Sequence, residues 1–469
     1  VTIVGAGFGG VAAAIALKRQ GIEDLVLLER GDDVGGVWRA NTYPGAACDV
    51  PSHLYSFSFA PNPRWSRRFS PGAEIRAYLG ELIDRFGLRE NIRFGEDVTR
   101  AEFDSSAARW RLAVAGGREY ESDVLITACG QLTRPRLPAL PGLERFAGPA
   151  FHSAEWDHSF ELEGARVAAV GTGASAIQFV PAIAPLAAQT TVFQRSAPWI
   201  VPKNDGPYGE RKQHLYERMP VLQRAARELN WRIMEAIVPL FTLTPPRSAR
   251  VAGALVRGLA NAQRKVQLRG DRELLRATRP TDVVGCKRLL LSSEWYPTLR
   301  RPDVSLVTTP IREVVPEGLI TTDGELHAAD AIIFGTGFTA TEFLAPMQVE
   351  GRDGVTLDEA WADGAEAFLG VTVPGFPNMF VLYGPNTNHG TGSVLAMHEA
   401  QATYIADAVR LLREDGARCL EVRPDVHAAF QAELADRLAG SVWSSGCSNW
   451  YKTASGRITN NWPGTQTEY

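Results

Sequence analysis

The sequence predicts an α/β chain built from two doubly wound, Rossmann-like domains, with a helical insertion in the second. Three observations predict it. A strand, a glycine-rich turn, a helix and a further strand open the chain. The same order recurs over residues 166–194. Between residues 209 and 279 strand formers thin out, and a helical period rich in Arg and Ala takes over.

Length and composition set the outer bounds. The chain has 469 residues, enough for two or three domains with sizeable cores. At 45% hydrophobic and 22% charged residues it is ordinary globular protein. A formal net charge of −4 gives no nucleic-acid footprint. The five cysteines are Cys48, Cys129, Cys286, Cys419 and Cys447. They are odd in number and lack C-x-x-C spacing. That argues against a disulfide framework, a zinc site and a dithiol redox pair, and it points to a reducing cytoplasm. No metal is expected. The apolar start lacks a basic n-region and is broken by Gly5, Gly7, Gly9, Gly10 and Gly21, so it reads as strand and loop rather than signal peptide. The apolar run 233–243 contains Glu235 and Pro239 and is too short to span a bilayer, so no membrane partner is expected. Opening on a core strand without Met, the chain is expected to have a few more N-terminal residues.

The first loop, Gly5-Ala6-Gly7-Phe8-Gly9-Gly10, fits G-x-G-x-x-G directly after a strand and before a helix. Gly5 permits the tight turn, Gly7 lets backbone approach a pyrophosphate, and Gly10 lets helix and strand pack closely. Unpaired N–H groups and the dipole at the helix start favour an anion. Glu29 ends the next strand, 19 residues after Gly10, where a carboxylate accepts from ribose hydroxyls. The second loop, Gly171-Thr172-Gly173-Ala174-Ser175-Ala176, is the G-x-G-x-x-A variant. Its second strand leads to Arg195 at the same 19-residue offset from Ala176, with the charge reversed. A guanidinium there suits a ribose 2′-phosphate; the bland alternative is an exposed Arg at a strand end. Two dinucleotide sites follow: FAD at the first loop, NADPH at the second, with hydride passing from nicotinamide to flavin.

Between the loops, Phe146-Ala147-Gly148-Pro149-Ala150-Phe151-His152-Ser153-Ala154-Glu155-Trp156-Asp157 fits F-x-G-x-x-x-H-x-x-x-W followed by Asp. With its flanking loops this stretch resembles the type I Baeyer–Villiger monooxygenases, over nearly the whole chain and least in the helical insertion. The resemblance extends residue by residue. Gly35-Gly36-Val37-Trp38 is similar to the segment along the flavin, and Tyr55 to a flavin-contacting Tyr. Tyr43-Pro44-Gly45-Ala46-Ala47-Cys48-Asp49 is similar to the stretch carrying an active-site Asp, which implies Asp49. Gly285-Cys286-Lys287-Arg288 resembles the segment of the active-site Arg, implying Arg288, with Lys287 near the NADPH phosphate. Ile333 to Phe338 resembles a strand–turn joining the domains, and residues 447–451, with Trp450, a mobile loop that closes over the nicotinamide. Ala128-Cys129-Gly130 departs from the family's Ala-Thr-Gly, a change that should keep the turn; residues 384–392 vary among subgroups.

The resemblance implies FAD domain parts at 1–137 and 329–469, NADPH domain parts at 138–205 and 285–328, and the insertion at 206–284. It implies an enzyme that uses NADPH and O2 to convert a ketone to an ester or lactone through a C4a-peroxyflavin. A fixed cation steadies such a peroxide and the developing oxyanion; Arg suits this because it keeps its proton. Asp49 would orient Arg288 and offset its charge, although the two also fit a structural ion pair. His152, Trp38 and Trp156 are expected to pack rather than react, and Trp450 also fits a simple tail anchor. The nearest rival is a flavin monooxygenase oxidising nitrogen or sulfur. A flavin disulfide reductase would need a suitably spaced cysteine pair, and a nucleotide sensor would not oxidise NADPH. Residues 50–59, the insertion and the tail would shape the substrate pocket.

Overall fold

The computed structural model describes residues 1–241, 247–447 and 449–469. Residues 242–246 of the expected insertion, and Ser448 of the tail motif, lie outside the described residues.

The opening unit forms as the pattern predicts. Thr2–Val4 pairs in parallel with Val26–Glu29 and with Leu125–Thr127. Met379–Val381 and Ile92–Phe94 flank them and complete a five-stranded parallel sheet. The central strands are buried on both faces, which explains their unbroken apolar runs. The helix Phe8–Arg19 covers one face and packs against the long helix Val394–Glu414. Small residues make this close packing possible: Ala12, Ala13 and Ala14 are all buried.

A second parallel sheet runs Val304–Val307, Gln189–Phe193, Arg166–Val170, Ala331–Phe334, Ala150–His152. Two of these strands bear on the expected boundaries. Ala150–His152 comes from the motif between the two loops, so that motif supplies an edge strand of the second sheet. Ala331–Phe334 pairs with Arg166–Val170, whereas the expected return to the first domain begins at residue 329. The crossing back therefore lies beyond Phe334. Four buried apolar residues in a row identify a central strand but not the sheet it joins.

The insertion is helical where described: Glu210–Arg218, Pro220–Ile237, Arg247–Gln267 and Arg272–Ala277. An antiparallel layer, Val98–Asp104, Arg109–Val114 and Glu119–Ser122, flanks the first sheet and is joined in parallel by Gln348–Glu350. The closing stretch is irregular but buried. Asn386 donates to the carbonyls of Ile458 (3.0 Å) and Asn461 (3.1 Å), and the N–H of Asn388 to the carbonyl of Asn460 (2.9 Å). Among the described residues no helix is long and apolar enough to cross a membrane, and no cluster of His, Cys, Asp and Glu could hold a metal ion.

Candidate functional site

The two glycine loops share one construction. Gly5 has φ +105°, and a Cβ there would lie 2.7 Å from the carbonyl oxygen of Ala128. Gly171 has φ +111°, and a Cβ there would lie 2.5 Å from the carbonyl oxygen of Gly335. Each first glycine thus presses on the turn that ends the next strand over, and neither place admits a side chain. The helices Phe8–Arg19 and Ala176–Ile183 start at these loops with no side-chain cap, leaving their first N–H groups to serve an anion. The turn at Ala128-Cys129-Gly130 is kept, with Gly130 at φ +74°.

Around the first loop, Glu29 is buried. It accepts from the N–H of Ala6 (2.8 Å) and of Gly31 (2.9 Å), one on each oxygen. Each oxygen keeps a further lone pair for a sugar hydroxyl. Trp38 donates its indole N–H to the Tyr55 hydroxyl (3.0 Å), and Tyr55 packs edge-on against Phe8. Burial pushes the Tyr55 phenol far above its ordinary range. Gly7 lies against the turn that precedes Trp38, since a Cβ on Gly7 would lie 3.5 Å from the Cα of Gly36.

Around the second loop, Arg195 is exposed and makes no ion pair among the described residues. Ser196 follows it and accepts from the Lys287 ammonium (3.0 Å), which also pairs with Asp282 (2.6 Å). Gly173 is open, with only the Gly335 carbonyl near the position of a Cβ. Ser175 faces the Tyr43 hydroxyl, whose pKa burial pushes up to about 12.

A strap from Tyr43 to Val50 joins the two halves. Tyr43 donates to Gln178 Oε1 (2.8 Å), and Gln178 donates to the carbonyl of Ala47 (2.9 Å). Tyr43 and Ala46 belong to the second domain's core, while Cys48 and Val50 belong to the first. Asp49 sits at that crossing. Its Oδ2 accepts from both Nη2 (2.6 Å) and Nε (3.0 Å) of Arg288. The side chains are 24% and 35% exposed, so the pair is neither on the surface nor sealed. The Asp49 carboxylate drives the Arg288 pKa further up, against desolvation. The phenols of Tyr451 and Tyr383 face the same guanidinium.

Two features escaped sequence reasoning. Tyr383 donates to Asn388 Oδ1 (2.7 Å), and Asn388 donates to Asn461 Oδ1 (2.6 Å), placing buried amides behind Tyr383 and Tyr451. Cys286 and Cys447 are joined as a disulfide across 161 residues, with their Cα atoms 6.5 Å apart. This corrects the expectation of no paired cysteines. A spacing rule detects pairs close in the chain, and this pair is local only in space; the available signal is that one cysteine stands beside Lys287 and the other at the start of the tail loop. Trp450 is half-buried with its ring 4.4 Å from that of Tyr451.

His152 is buried at the edge of the second sheet, where its Nδ1 accepts from the N–H of Ala154 (3.1 Å) and its ring meets Phe338. Burial lowers its pKa to about 4, so it is neutral at physiological pH. Trp156 packs on Phe151 and Phe179, and Asp157 caps a local turn through Ser159.

Fold and loops together define a two-nucleotide oxidoreductase, and comparison narrows the class. The family model for flavin-binding monooxygenase-like proteins matches residues 1–219. A Baeyer–Villiger monooxygenase of Streptomyces coelicolor is 44% identical over 471 residues, covering 100% of this chain and 89% of its own. One from Pseudomonas aeruginosa is 41% identical, covering 99% and 87%. Among solved structures, an oxidized steroid monooxygenase bound to NADP superposes with a TM-score of 0.87 at 31% identity, covering 100% and 95%. A cyclohexanone monooxygenase from Rhodococcus sp. Phi1 bound to NADP+ gives 0.89 at 27%, with the same coverage. The chain belongs to the Baeyer–Villiger monooxygenase family.

Proposed function

We propose that this chain uses FAD, NADPH and O2 to insert one oxygen atom beside a ketone carbonyl, giving an ester or lactone, water and NADP+. The observation that carries this reading is the Asp49–Arg288 pair, held at the strap between the two nucleotide loops. The comparisons support it, through relatives named Baeyer–Villiger monooxygenase and solved structures named for ketone-oxidising enzymes.

The residues fit the cofactors. Gly5, Gly7 and Gly10 would cradle the FAD diphosphate, Glu29 would take a ribose hydroxyl, and Trp38 and Tyr55 would line the flavin side. Gly171, Gly173 and Ser175 would cradle the NADPH diphosphate, with Arg195 and Lys287 on its 2′-phosphate. Trp450 would cover the nicotinamide. Bound flavin, once reduced, supplies activated oxygen. Arg288 then holds a positive charge where negative charge develops as oxygen meets the carbonyl. It cannot surrender a proton to that oxygen, because its own pKa is driven up by Asp49. Asp49 fixes the guanidinium's orientation through two hydrogen bonds and balances its charge.

The test is Arg288→Ala with a ketone and a thioether offered side by side. FAD binding and NADPH oxidation should persist, ester formation should vanish, and sulfoxide formation should survive. Ester made at the parent rate would overturn the assignment. Nitrogen or sulfur oxidation as the main activity makes no use of a fixed cation at this point, and no contact in the site favours it.

A further inference from the structure

We propose that Cys286 and Cys447 form a second redox site: a dithiol that hydrogen peroxide converts to the disulfide, fastening the C-terminal segment onto the Lys287–Arg288 stretch. The inference rests on the oxygenase reading only for its internal source of peroxide.

Position is the first argument. The bond joins the residue next to Lys287, and two before Arg288, to the segment that carries Trp450 and Tyr451. The Cα separation of 6.5 Å lies within the range a disulfide accepts. The same segment is also seated by weaker contacts. The Asn449 side chain donates to the carbonyl of Cys286 (3.2 Å), and Ser445 Oγ lies 3.0 Å from the Cys286 sulfur. Within the tail itself, Lys452 donates to the carbonyl of Ser445 (2.9 Å) and holds that turn together. The two sulfurs therefore remain neighbours when the bond is open, and closing it converts a hydrogen-bonded seat into a covalent one.

Access and electrostatics give the order of events. Cys447 is half-buried and Cys286 fully buried, so a reagent from solvent meets Cys447 first. The Asn449 amide points at both sulfurs, 3.5 Å from Cys447 and 3.9 Å from Cys286, and the Ser445 hydroxyl lies 3.0 Å from the Cys286 sulfur. A polar donor aimed at a sulfur can hydrogen-bond to its thiolate. Cys48 is buried and Cys129 half-buried, and desolvation pushes both thiols up, in Cys129 to about 12.

The chemistry balances. The Cys447 thiolate attacks one peroxide oxygen, the O–O bond breaks, and the departing hydroxide takes a proton to become water, leaving a sulfenic acid. The Cys286 thiolate then attacks that sulfur, the S–O bond breaks, and a second water leaves with a further proton. Two thiols and one peroxide give one disulfide and two waters, with two electrons passed from sulfur to oxygen. A small dithiol reverses the step by exchange. Peroxide is what oxygen activation releases when no ketone accepts the oxygen. The device therefore answers wasted NADPH by pinning the tail, and the pinned tail slows exchange of the nicotinamide nucleotide.

The test uses the FAD-loaded full chain, first reduced with dithiol and then freed of it. One portion receives hydrogen peroxide; a second receives NADPH in air without ketone; a third is the second with catalase. Thiols are counted after denaturation, cross-linked peptides are mapped, and NADP+ release is timed. In the first two portions the thiol count should fall by two, one peptide should join Cys286 to Cys447, and NADP+ should leave several-fold more slowly until dithiol is restored. Catalase should abolish the change in the third. With Cys447→Ser, peroxide should yield no such peptide. Failure of added peroxide to close this pair, preferential loss of other cysteines, or a closed pair with NADP+ release unchanged would overturn the proposal. A pair closed by added peroxide but untouched by NADPH in air counts instead against the oxygenase reading.

Discussion

Replacing Arg195 by Ala tests the proposed recognition of the 2′-phosphate. The guanidinium is exposed and has no protein partner among the described residues, so its loss removes no internal contact. Stability should change by less than about 0.5 kcal/mol. A charge-assisted hydrogen bond to phosphate contributes about 1.5–3 kcal/mol, and solvent screening at an exposed site argues for the lower half of that range. Lys287 offsets the loss only in part, since Asp282 already takes one donor of its ammonium at 2.6 Å. About 1.5–2 kcal/mol corresponds to a loss in NADPH affinity of roughly 10–30-fold. NADH, which carries no phosphate there, should be nearly unaffected. The assay is steady-state oxidation of each nucleotide with KM values compared, beside a thermal melt. An equal rise in KM for both nucleotides, or none for NADPH, refutes the reasoning.

Other consequences are equally direct. Asp282→Asn releases Lys287 from its ion pair, so KM for NADPH should fall while KM for NADH stays constant. Gly171→Ala forces a side chain into a left-handed turn against the Gly335 carbonyl; nucleotide binding at the second loop should be lost, and the melt should drop by several degrees, read by calorimetry. Burial lowers the pKa of His53, His152 and His389 to about 4 and that of His398 to about 3, against an ordinary 6.5. The unfolded chain thus binds more protons than the native one below pH 6.5. The stability that neutral histidines confer is complete above that value and falls as pH drops toward 4. Urea unfolding at pH 7.5, 6 and 5 should show the decline, and a flat profile would contradict it.

What the sequence disclosed follows from how local each constraint is. The glycine loops were legible because a tight turn, a close backbone approach and a helix start all fall within six residues, and the carboxylate or guanidinium follows at a fixed distance. Tyr43, bonded to Gln178 across 135 residues, and Cys286, bonded to Cys447 across 161, leave no such trace, because three-dimensional closure creates those contacts. Membership of Ala331–Phe334 in the second sheet was hidden for a related reason. A buried strand has the same composition in either sheet, and only hydrogen-bond pairing assigns it. The Asp49–Arg288 pairing came from resemblance, since nothing in either segment's own pattern points to the other.

The strap from Tyr43 to Val50 is rooted in both cores, gripping the second through Tyr43 and Ala46 and the first through Cys48 and Val50. Asp49 lies at its first-domain end, between Cys48 and Val50, while Arg288 follows the helical insertion. The carboxylate–guanidinium contact therefore ties a segment rooted in both cores to the stretch after the insertion, and a change in the angle between the halves would be felt there first. In the proposed reaction, the cation that would steady the oxyanion would also be the group that senses the angle between the halves.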